Sequence, residues 1–116
     1  MILIKRTLAI LATATLVLSS ISNAIADDDH YKGWTRSFEE AKELAAKEGK
    51  SILMEFTGSD WCPPCKALKK YVFDNDKFKA YAKKNLILVE LDFPRDKSKI
   101  TEKQMAYNQA KLKKFG

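Results

Sequence analysis

The sequence predicts an α/β protein built on a parallel pair of central strands, and three observations carry that expectation. Two short apolar runs, Ser51 to Phe56 and Leu86 to Leu91, have the length and bulk of buried strands. The stretch between them has helical periodicity, so the second strand returns beside the first through a right-handed crossover. Helix-capping patterns stand outside both runs, at Ser37 with Glu40 and at Thr101 with Gln104.

The elements follow in order along the chain. After a polar lead-in, Phe38, Ala41, Leu44 and Ala45 recur at helical spacing until Gly49, which gives one amphipathic helix. The first strand, with Glu55 as its only acid, breaks into Thr57-Gly58-Ser59-Asp60. From Cys62 the pattern changes to helical periodicity through Cys65, Leu68, Lys69, Val72 and Phe73, with Pro63 in the first turn, where a missing N–H costs little. Asp76 opens a further helix with Phe78, Tyr81 and Ala82 facing inward, ending at Asn85. After the second strand and Asp92-Phe93-Pro94, Met105, Ala106, Gln109, Leu112 and Phe115 describe the last helix, with Gly116 suited to its C-cap.

The first residues read as a targeting segment. Lys5 and Arg6 precede an uncharged run to Ser22 whose apolar heart, Leu8 to Leu18, has the length of a signal-peptide core, and Ala24-Ile25-Ala26 supplies a small-x-small cleavage pattern. Cleavage is expected after Ala26, dividing the chain into a signal peptide (1–26), a polar lead-in (27–36) and one domain (37–116). An uncleaved anchor over 7–26 is the alternative, diluted by Ser19, Ser20, Ser22 and Asn23. No cysteine lies near the cut, which excludes a lipid anchor there. The product is then periplasmic or secreted. Loss of Lys5 and Arg6 lowers the net charge from +6 to +4. The remaining lysines are spread among acids with no basic stripe interleaved with stacking aromatics, which argues against nucleic-acid binding.

The chemistry rests on two cysteines, Cys62 and Cys65, in Trp61-Cys62-Pro63-Pro64-Cys65-Lys66. They cannot build a multi-bridge scaffold, and with His30 as the single histidine they cannot complete a four-ligand zinc site, so no metal is assigned. A redox thiol needs an environment that favours its anion, and a helix N-terminus offers unpaired N–H groups and the positive end of the dipole. Cys62 falls at that point, and Cys65 is one turn along, within reach of a disulfide. Pro63 and Pro64 leave only the Cys65 amide to donate to the Cys62 sulfur. Its pKa should therefore be depressed less than in the strongest oxidants, which favours a reductant or mid-potential exchanger. Other readings of the pair are a dithiol site for a soft ion such as Cu(I) and a structural bridge, which over so short a loop adds little stability.

The stretch Ser51 to Lys66, SILMEFTGSDWCPPCK, closely resembles the thioredoxin superfamily, whose signature is a strand, a W-C-x-P-C turn and a helix. With Val72-Phe73 and Leu86 to Pro94, it is similar to exported bacterial thioredoxin-like proteins related to the carboxy-terminal domain of the transmembrane disulfide reductase. The resemblance covers nearly all of Phe38 to Gly116. It implies a thioredoxin-like, three-layer αβα fold and a cell-envelope thiol:disulfide oxidoreductase that reduces or exchanges protein disulfides without a cofactor. Cys62 would be the attacking and Cys65 the resolving thiol, Trp61 the aromatic that shields the site and meets substrate, and Pro64 the residue that shapes the helix start. Glu55 matches the buried acid that moves the resolving thiol's proton, although one extra residue separates it from Cys62, and Asp60 is a second candidate. The implied partners are disulfide-containing protein substrates and a membrane electron donor, with the chain itself a monomer. Family members continue past the position of Phe115-Gly116 with a cis-proline segment, two strands and a helix. The fold is therefore expected to be C-terminally incomplete, which keeps open two alternatives: a non-catalytic CxxC module binding a soft metal or a partner, and an inactive truncated fragment.

Overall fold

The computed structural model describes residues 31–116. The signal peptide, its cut after Ala26 and His30 lie outside the described residues. The elements run α1 (Phe38–Glu48), β1 (Ser51–Thr57), α2 (Pro63–Leu68) continued by a π-helical turn (Lys69–Phe73), α3 (Asp76–Asn85), β2 (Leu86–Asp92), a 3₁₀ turn (Lys97–Lys99) and α4 (Glu102–Phe115). β1 and β2 pair in parallel, with Ser51 opposite Leu86 and Thr57 opposite Asp92. Thr35 adds a one-residue bridge on the far side of β2: its N–H donates to the Leu88 carbonyl at 2.9 Å, and its own carbonyl accepts from Glu90 N–H at 3.0 Å.

Side chains alternate along each strand, and an in-register parallel pair places residues that face each other across the ladder on one face. Ile52, Met54, Phe56, Ile87, Val89 and Leu91 form the apolar face, which closes on Ala41 of α1 and Tyr107 of α4, with Ala41, Val89 and Leu91 fully buried. The opposite face presents Leu53, Glu55 and Thr57 beside Leu88, Glu90 and Asp92. Over it lie α2, the π turn and α3, knitted by a chain of ring contacts from Tyr31 through Trp34 and Phe73 to Phe78. The three layers are those expected.

The helix starts are written in the caps. Ser37 Oγ accepts from Glu40 N–H, Asn75 Oδ1 from Lys77 N–H, and Thr101 Oγ1 from Gln104 N–H. The cap of α3 is thus Asn75, with Asp76 its first helical residue. At Ser37 the expected reciprocal box does not close, because the Glu40 carboxylate is taken by the Thr35 hydroxyl. Gly49 ends α1 with φ 66°, a left-handed conformation that glycine adopts without a Cβ penalty.

In three helices the buried face departs from the apolar periodicity, and in α3 this corrects the expected inward position of Tyr81. In the crossover helix Leu68 and Val72 are exposed, and the inward row is Cys65, Lys69 and Phe73. The π turn, closed by Asp74 N–H onto the Lys69 carbonyl at 2.9 Å, widens the helix and keeps residues four apart in line. In α3, Ala82 is buried but Tyr81 is exposed. In α4 the buried and half-buried residues are Gln104, Met105, Tyr107, Asn108 and Lys111, while Ala106, Gln109, Leu112 and Phe115 are exposed. Polar anchors set that face. Tyr107 Oη accepts from Phe38 N–H at 2.7 Å, Asn108 Nδ2 donates to the Asp92 carbonyl at 2.7 Å, and Gln104 Nε2 donates to Asn108 Oδ1 at 2.8 Å. Lys111 pairs with Glu39 of α1. Phe115 keeps a ring contact with Phe38, at 4.9 Å between centroids.

Candidate active site

The site is built where β1 hands over to α2. Beyond Thr57 the chain turns so that the N–H groups of Trp61 and Cys62 both reach the Gly58 carbonyl, at 3.2 and 2.9 Å. Cys62 is the N-cap of α2, in an extended conformation, with Pro63 and Pro64 in the first helical turn. The only side-chain cap bond is that expected from the sequence: Cys65 N–H points at Cys62 Sγ, 3.4 Å away. Cys62 and Cys65 are joined as a disulfide with their Cα atoms 5.3 Å apart, and both are half-buried. On reduction the Cys62 sulfur stays at a helix start, next to one amide donor and the positive end of the dipole, which favours the thiolate.

A second loop, leaving β2, is tied to this turn. Asp92 accepts from both the N–H and the hydroxyl of Ser59. Phe93 N–H donates to the Thr57 carbonyl at 2.8 Å, and the Phe93 carbonyl accepts from Trp61 Nε1–H at 2.7 Å. Asp60, the second candidate acid of the sequence reading, accepts from the N–H groups of Arg95 and Asp96, both at 2.9 Å, and these bonds hold its carboxyl below the usual carboxylate range. The geometry makes Asp60 a loop clamp. Trp61 lies beside Cys62 with its ring half exposed and the Arg95 guanidinium 5.1 Å from its centroid.

Gly58 is required by that ring. A methyl group at this position would lie 2.6 Å from Trp61 Nε1. Gly58→Ala is expected to push the indole off the Phe93 carbonyl and cost about 1–3 kcal/mol, read as a lower Tm together with a changed Trp61 emission. An unchanged Tm and spectrum would contradict the packing.

Glu55 is buried on the acidic face of the sheet. Burial raises its pKa, Asp92 adds to the rise, and a hydrogen bond with Tyr31 and the charge of Lys69 oppose it. Lys69, one turn after Cys65 on the same inward row, is the residue of that helix whose charge reaches Glu55. One of the Glu55 oxygens, Oε2, has no hydrogen-bond partner. Directly across the ladder stands Glu90, 3% exposed, with Arg36 Nε 3.6 Å from its carboxylate. Burial pushes Glu90 up to about 7 against the pull of Arg36. Tyr31 is also shifted upward, chiefly by burial.

Glu90, Arg36 and Tyr31 escape a sequence reading that treats LILVEL as a uniformly buried strand. The signal was present: each strand carries a glutamate as its fifth residue, and pairing the strands from their first residues sets the two acids opposite each other.

A family model described as thioredoxin-like matches residues 33–112. The disulfide bond reductase DsbH of Chlamydia pneumoniae is 38% identical over 73 residues, which is 63% of this chain and 43% of that protein. An uncharacterized protein of Archaeoglobus fulgidus is 30% identical over 96 residues, 83% of this chain and 73% of its own length. Among solved structures, a DsbH oxidoreductase matches with a TM-score of 0.62 at 32% identity, covering 77% of this chain and 64% of that one. The chain spans less than two thirds of the length of either DsbH protein.

Proposed function

This chain belongs to the thioredoxin-like family, and we propose that it works as a thiol:disulfide oxidoreductase through the Cys62/Cys65 couple. The observation that carries the reading is the cysteine pair itself, closed as a disulfide at a helix N-cap where a single amide addresses the leading sulfur. In the reductive direction the Cys62 thiolate attacks a substrate disulfide, one substrate sulfur leaves as thiolate, and a mixed disulfide forms. Cys65 then attacks Cys62, the second substrate thiol is released, and the bridge re-forms. Two electrons pass from the dithiol to the substrate in each cycle.

Reduction of protein disulfides is the favoured direction. Pro63 and Pro64 remove the two other amides that would draw the Cys62 pKa down, and a relative of this chain carries the name of a reductase. The half-exposed Trp61 ring beside Cys62, with Pro64 at the helix start, forms the surface a substrate polypeptide would meet. Glu55, buried with a raised pKa, would take and return the Cys65 proton. The signal-like first 26 residues support a periplasmic or secreted location, where a monomer would be recharged by a membrane electron donor.

The test is turnover. With dithiothreitol as donor, the protein is expected to accelerate insulin disulfide reduction, and Cys65→Ser to stall as a mixed disulfide with the insulin chain visible on a non-reducing gel. Thiolate absorbance should place the Cys62 pKa well above that of the strongest oxidants, about 3.5. No acceleration over dithiothreitol alone would reject the activity, and a pKa near that figure would reject the reductive direction.

A further inference from the structure

We propose that Glu55 and Glu90 act as one carboxyl pair, sharing a single proton beneath the Cys62–Cys65 turn, and that Glu90 positions this proton for Glu55 to pass to Cys65. The first half of the proposal stands on the fold alone, and the second rests on the oxidoreductase reading.

The pair follows from the ladder. Glu55 and Glu90 are direct partners across two parallel strands, so their side chains leave the same face one strand spacing apart, about 4.8 Å. Both are buried, at 8% and 3% exposure. Two carboxylates so placed cannot both ionise without enough countercharge, and the groups around them do not supply it. From the segment before α1, Arg36 reaches only Glu90, from a half-exposed position, and Tyr31 brings a neutral hydroxyl. From the π turn, Lys69 has its ammonium on the Asp74 carboxylate, at 2.8 and 3.0 Å, and acts on Glu55 only through its charge. From β2, Asp92 adds a third negative charge that raises the pKa of both acids. Among the described residues Arg36 is thus the one cation in contact with either carboxyl, Lys69 being held by Asp74, and the orphan Glu55 Oε2 is an oxygen at which a shared proton would be held.

In the exchange reaction the proton has a defined path. An external dithiol reduces the bridge by forming its own S–S bond as the Cys62–Cys65 bond breaks, and two electrons enter the protein. Cys65 departs as a thiolate and takes the pair's proton through Glu55. The pair is refilled by a proton released from the donor thiols. Glu90 touches no reacting atom; by keeping Glu55 protonated near neutrality it acts as a positioning residue.

The test follows the glutamate side-chain carboxyl carbons by NMR in the oxidised, ¹³C-labelled protein across a pH series, in wild type, Glu90→Gln and Arg36→Gln. In wild type one carboxyl of the two should stay protonated at neutral pH, with coupled titrations. Glu90→Gln should move Glu55 to ionise at a proton concentration at least tenfold higher. Arg36→Gln, a change at a half-exposed side chain, should move the pair in the opposite sense. Both carboxyls ionised at neutral pH in wild type, or a Glu55 titration indifferent to Glu90→Gln, would overturn the pair. Single-turnover reduction of the bridge by dithiothreitol tests the second half: the Glu90→Gln rate relative to wild type should fall near neutrality and recover in acid. An unchanged ratio alongside coupled titrations would overturn the link to Cys65. Coupled titrations and a shifted ratio in a protein that does not reduce insulin would uphold the pair and sink the oxidoreductase reading alone.

Discussion

Cys62→Ser is expected to bring insulin reduction down to the dithiothreitol background, a loss on the order of a thousandfold or more, because serine at a helix N-cap supplies no thiolate and no leaving sulfur. The fold should survive. The bridge closes a loop of only four residues, and removing it costs about 2 kcal/mol at most in the chain-entropy account. The N-cap itself is retained, since a serine hydroxyl accepts the Cys65 N–H as well as the sulfur does. An unchanged far-UV spectrum with abolished turnover is therefore the expected pairing of results. Residual turnover in Cys62→Ser would move the attacking role to Cys65, whose sulfur lies one turn inside the helix.

The second large effect is on stability against pH. Glu90 titrates at about 7 in the folded chain against an ordinary value near 4.5, so the native state holds a proton that the unfolded chain gives up between those values. A raised carboxyl pKa means that stability is fully present below the unfolded value and is lost as pH rises through the folded one. The loss is on the order of 3 kcal/mol at 1.36 kcal/mol per unit. Glu55 is shifted the same way, and because the two acids share one proton the loss is counted once for the pair. Urea unfolding of the oxidised protein should show a clearly higher midpoint at about pH 5 than at about pH 8, with Glu90→Gln flattening most of the difference. A midpoint that rises with pH over that window would show that Glu90 is ionised and adequately paired in the native state. Asp60 and Asp96, which their hydrogen bonds shift downward, act in the more acidic range and leave this window clear.

The legible parts of the fold were those dictated locally. Strand length, the capping side chains of Ser37 and Thr101, and Gly49 at a left-handed stop act within a few residues of themselves, and the elements begin and end close to where they indicate. Cys62 and Cys65 were legible because their chemistry depends on spacing and on two prolines beside them. The orientation of α4 was not. Leu112 and Phe115 outweigh Asn108 on any hydrophobic count, yet Asn108 is inside because the Asp92 carbonyl, far away in sequence, needs a donor where the strand ends. The same holds for Leu68 and Val72, turned out by a widened helical turn that no residue pattern announces, and for Glu90, whose meaning appears only when the ladder sets it against Glu55. The neighbours that decide these cases come from outside any one segment.

Asp92 joins both ends of that account, and its position bears on how the protein opens. Its carboxylate holds Ser59 in the cysteine turn and its carbonyl holds Asn108 in α4, so one residue at the end of β2 fastens the reactive loop and the last helix to the sheet. For this loop to fray it must break both Ser59–Asp92 bonds, which limits its freedom to open alone. The Ser59 amide hydrogen, held by Asp92, is expected to exchange with solvent more slowly than an unbonded loop amide. The turn that carries the redox couple is thus tied directly to the strand on which the last helix is anchored.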